Sequence, residues 1–68
     1  MEGLENQKMI QEIVDFVQRH PQSHASRVVL REALQDYGAD VQSRVEELTA
    51  SLGQLPAGDL EYCYYLIK

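Results

Sequence analysis

Pro56-Ala57-Gly58-Asp59-Leu60-Glu61-Tyr62-Cys63-Tyr64-Tyr65-Leu66-Ile67 is the stretch that decides the fold, because it suits two incompatible backbones. Aromatic and branched side chains fit a pleated strand, and Tyr62, Tyr64 and Tyr65 crowd this segment. Pro56 to Asp59 carries turn chemistry, so Gln54-Leu55 begins the other arm of a hairpin. Helical spacing also fits: Leu60, Cys63, Tyr64 and Ile67 share a face, with Asp59 as a cap. The tyrosine density favours the strand. Its two faces would be Leu60, Tyr62, Tyr64 and Leu66 on one side and Cys63, Tyr65 and Ile67 on the other. Both are apolar, and a thin helical layer covers only one. The other is either a set of half-wet tyrosines or a surface for a partner.

Upstream the period is helical. Met9, Ile10, Ile13, Val14 and Val17 follow the i, i+3, i+4 rule with Phe16 beside them, predicting a first helix from about Glu5 to Arg19. Lys8/Glu12 and Asp15/Arg19 are supporting pairs four residues apart. Pro21 ends the helix by pushing its predecessor out of helical geometry. Ser23 or Ser26 caps a second helix carrying Val29, Leu30, Ala33, Leu34 and Tyr37, which Gly38 stops in the left-handed conformation. Asp40 caps a third, Val41 to about Leu52, with Val41, Val45, Leu48 and Leu52 on one face and Gly53 as terminator. Asp40 and Arg44 pair along it, and the short link predicts that helices 2 and 3 pack as an αα-hairpin or helix-turn-helix unit.

The expected class is therefore mainly α (α+β): one domain over residues 1–68, with three helices and a C-terminal hairpin or strand. A compact four-helix domain is the alternative. This order of elements resembles winged helix-turn-helix domains. Ile13 to Pro21 would match the first helix, Leu30-Arg31-Glu32-Ala33-Leu34 the second, Val41 to Leu52 the recognition helix and Gly53 to Lys68 the wing. The resemblance implies a DNA-binding regulator contacting nucleic acid through Arg27, Arg31, Gln42, Ser43 and Arg44. Arg27 and Arg31 also sit in the first turns of helix 2, against the preference of the helix dipole. The departures are Glu46 and Glu47 on the recognition helix and Asp59, with no basic residue, in the wing turn.

A chain of 68 residues has room for one thin core. Its 44% hydrophobic and 25% charged residues place it among globular rather than disordered chains. Cys63 is the only cysteine, so no internal disulfide supports that core, and a reducing, cytoplasmic compartment is the default. The first residues suggest no signal peptide, and no stretch approaches the ~20 apolar residues a membrane span needs, so neither is expected. The net charge of -5 lowers the expectation of strong nucleic-acid binding without removing it, since a local patch can dominate.

No catalytic, cofactor or metal motif stands out. His20 and His24 have ligand spacing, but Pro21 separates them, and exposed loop histidines are the better reading. Cys63 reads as a buried small hydrophobe rather than a nucleophile. Glu46-Glu47 and Glu32/Asp36 read as solvated helix faces. The expected function is a non-enzymatic protein-interaction or regulatory module, with a homodimer as an option and no cofactor or membrane. Its contact residues would be Tyr62, Tyr64, Tyr65 and Ile67, along a free strand edge.

Overall fold

The computed structural model describes the backbone of residues 2–36, 38 and 40–68, with side chains from residue 6 onward. Four helices make up its regular structure: α1 (Glu2–Arg19), α2 (His24–Leu34), α3 (Val45–Gln54) and α4 (Ala57–Leu66). There is no strand among the described residues. The expected α+β class with a hairpin is thereby overturned, and the four-helix alternative fits.

The first helix follows its apolar stripe: Ile10, Ile13, Val14 and Val17 all enter the core. Arg19 Nε meets Asp15 Oδ2 at 3.2 Å, the expected i, i+4 pair. Helix α2 begins after Ser23, an extended residue whose side chain makes no capping bond. Buried Ser26 instead donates its hydroxyl to the His20 carbonyl at 2.6 Å, tying the start of α2 to the end of α1.

The next stretch departs from the helix-turn-helix pattern. Helix α2 stops at Gln35 rather than Gly38; Gln35 takes the left-handed conformation, φ 56°, and its N–H reaches the Arg31 carbonyl. Tyr37 and Ala39, expected in the second stripe and the tight turn, lie outside the described residues. Asp40 caps a separate turn rather than a helix: Oδ1 accepts the Gln42 N–H at 3.1 Å and Oδ2 the Ser43 hydroxyl at 2.8 Å. The chain becomes helical only at Val45, so the expected helix from Val41 loses its first turn. Val41 is still buried, as a core plug on the connection. Gly53, expected as terminator, lies inside α3, where a Cβ would touch Ile10 Cδ1 at 3.9 Å.

Only Leu55 and Pro56 separate α3 from α4, leaving no residues for the first arm of a hairpin. Pro56 is the N-cap of α4 in place of Asp59, and its carbonyl accepts the Leu60 N–H at 3.0 Å. The tyrosines' strand preference loses to burial. A strand would send Leu60 and Cys63 to opposite faces, whereas the helix puts both in the core, at 2% and 0% exposure. With no hairpin there is no wing, and the winged-helix resemblance falls with it. The free strand edge proposed for contacts falls too.

Packing runs across the sequence order. Helix α1 lies mainly against α3 and α4, and α2 also packs on α3 and α4. Leu48 and Leu52 of α3 and Leu60 and Cys63 of α4 therefore meet α1's stripe and Val29 and Leu30 of α2 in one cluster. Among the described residues no helix is long and apolar enough to cross a membrane.

Candidate interaction surface

Helix α4 is apolar nearly all round, so its own packing sorts its tyrosines. Leu60 and Cys63 are the buried positions, and Tyr64 and Ile67 sit at the border of the core. Tyr62 and Tyr65 fall on the opposite side, three residues apart, the spacing of neighbours on a helix face. They are 52% and 70% exposed, the two exposed large hydrophobic residues among those described. The four residues expected to act together thus divide. Tyr62 and Tyr65 form an outer face, while Tyr64 and Ile67 help close the core.

Carboxylates frame that face. Asp59 precedes Tyr62 by three positions and Glu61 precedes Tyr65 by four, placing both acids beside the rings. No basic residue lies in α4, AGDLEYCYYL. The nearest cation in sequence, Lys68, turns away: its Nζ is 3.7 Å from Glu12 Oε1 of α1 and 4.8 Å from the Tyr64 ring centre. Tyr64 first, then Glu12, raises the Lys68 ammonium's pKa. An open groove of about 280 Å³ between α1 and α4, lined by Lys8, Met9, Glu12, Glu61, Tyr64 and Tyr65, flanks the outer face.

Burial, with the negative charges of Glu32 and Asp59 behind it, pushes the Cys63 thiol up to about 11. A thiol so protonated and enclosed is a poor nucleophile at neutral pH. In the sequence Asp59 reads as a cap and Glu32 as part of a solvated face, and Glu61 is assigned no role. The spacing of Asp59 to Tyr62 and of Glu61 to Tyr65 carries the signal, and it is visible only once the segment is known to be helical.

The arginine set does not gather. Arg44 is engaged on both sides, with Asp36 Oδ2 at 3.0 Å and Glu47 Oε2 at 2.9 Å, and Glu47 above all raises its pKa. This network replaces the expected Asp40/Arg44 pair. Ser43 is held by Asp40, and Gln42 donates to the Gln18 carbonyl at 3.4 Å. Arg27 contacts the Gln22 side chain at 3.3 Å, and Arg31 lies exposed on α2. His20 packs its ring on Phe16, 5.0 Å between centroids. No group of three or more His, Cys, Asp or Glu among the described residues is arranged to hold a metal ion.

No known family model matches the chain, and no curated protein or solved structure does so either.

Proposed function

We propose that this chain is a small non-enzymatic protein-interaction module whose contact surface is the outer face of α4. The observation that carries the reading is the exposed pair Tyr62 and Tyr65, set on a helix whose opposite side is locked into the core. Tyrosine is enriched at protein interfaces because it offers a large apolar ring at low entropic cost together with a hydroxyl for hydrogen bonding. A rigid helix lowers the ordering cost of binding further. The protonated, buried Cys63 supports a structural rather than catalytic cysteine. A single free thiol also suits a reducing, cytoplasmic compartment, which belongs to the same proposal.

The competing reading is a nucleic-acid contact through Arg27, Arg31, Gln42, Ser43 and Arg44. Arg44 is spent on two carboxylates and Ser43 on a third, and the chain carries a net charge of -5. These facts weigh toward α4.

Photo-crosslinking in the cell separates the two. A benzophenone side chain at position 65 should yield a discrete protein adduct, and the same group at Gln42 should not. Adducts of equal yield from both positions, no adduct from position 65, or nucleic-acid adducts from Gln42 alone would overturn the reading.

A further inference from the structure

The outer face of α4 combines two features that together choose among occupants. Its rings supply apolar area, and its rim is negative. Asp59 and Glu61 take part in none of the ion pairs among the described residues. Lys8 lines the groove toward α1, and Lys68 is held by Glu12. From the reading of α4 as a contact surface, we propose that its occupant is a basic, amphipathic segment of a partner protein. Apolar side chains of that segment cover Tyr62 and Tyr65, and its Lys or Arg side chains reach Asp59 and Glu61.

The alternatives fit the charges less well. A second copy related by a two-fold axis would bring the same acids, with no basic residue in its α4 to answer them. Anionic surfaces, nucleic acid or lipid, would meet the same carboxylates. A basic segment gains from both features, because cations are attracted to the faces of tyrosine rings as well as to acids. The chain already contains one such contact, Lys68 over Tyr64.

The test is an amide-resolved titration of the full chain with a designed peptide of about five helical turns, leucine on one face and lysine and arginine on the other. A twin with glutamate replacing the cations is the control. The basic peptide should shift residues 58–66, and the acidic twin should not. Tyr62→Ala with Tyr65→Ala should weaken binding by about tenfold or more, as expected for interface aromatics. Asp59→Asn with Glu61→Gln should weaken it and flatten its salt dependence. Both pairs change exposed side chains, and unchanged thermal unfolding would show that they fold. Shifts concentrated at Glu46 and Glu47, shifts spread evenly over all the acids, or equal binding of the twin would overturn the proposal. If the α4 amides instead shift with protein concentration, and the tyrosine pair abolishes that, the partner assignment falls while α4 remains a contact surface. If they respond to neither peptide nor concentration, both fall.

Discussion

Cys63 is the residue where packing and charge meet. Its thiol is enclosed by the core, and burial, with the charges of Glu32 and Asp59 adding to it, lifts its pKa from 9.0 to about 11. An acid that is neutral when protonated holds its proton longer in the folded chain. Its stabilising effect is therefore complete below pH 9.0 and is lost as pH rises through about 11, because the unfolded thiol ionises first. Urea unfolding followed from about pH 8 to about pH 11 should show a steeper loss of stability for the native chain than for Cys63→Ala. Parallel curves would contradict the burial of the thiol. Gln35 and Ser26 show the same dependence on context. Nothing in the sequence marks Gln35 as a left-handed helix end, a position that glycine usually fills, and Gly38 nearby was the natural expectation. Ser26 has the chemistry of a cap, but burial turns its hydroxyl to the His20 carbonyl.

At the scale of elements, legibility followed the strength of the period. The stripe of α1 reads directly from Ile10, Ile13, Val14 and Val17, and the structure buries all four. Helix α3 was placed correctly around Leu48 and Leu52 but begun a turn early, because Asp40 satisfies the amide of Gln42 and the hydroxyl of Ser43 instead of opening a helix. Helix α4 was misread because its apolar residues surround the axis and leave neither a period of two nor a clean 3.6. What resolves it is tertiary: Leu60 and Cys63 have a core to enter, and no partner strand exists among the described residues. Gly58 gives a direct check, since it lies in the first turn of α4 and a Cβ there meets nothing within 4 Å. Gly58→Ala should stabilise the chain by about 0.5–1 kcal/mol, the usual gain for replacing glycine in a helix. For a domain of this size that is a rise of at least about 2 °C in Tm, readable by thermal circular dichroism. A loss of stability would point to a turn that needs glycine.

Across the whole molecule, α1 and α2 touch each other lightly, and each packs on both α3 and α4. Helices α3 and α4 each bridge α1 and α2, so α4 cannot be lost without opening the cluster around Leu60. That arrangement turns one side of α4 inward and leaves Tyr62 and Tyr65 outside, on a chain of net charge -5. The candidate surface was therefore legible only in part. The tyrosines drew notice from their number, but their division into Tyr64 against Tyr62 and Tyr65, and the frame of acids, required the helix. Arg27 and Arg31 stand out in the sequence as charges misplaced at the start of helix 2, but α2 ends at Leu34, which puts Arg31 in its last turn, where the helix dipole favours a cation. The central claim is a helical tail with its tyrosine face outward, and solvent paramagnetic relaxation of the amides of residues 57–67 tests it most directly. The account predicts a wave of helical period, with maxima near Gly58, Tyr62 and Tyr65 and minima at Leu60, Cys63 and Tyr64. An alternation of period two along Leu60 to Ile67 would contradict it.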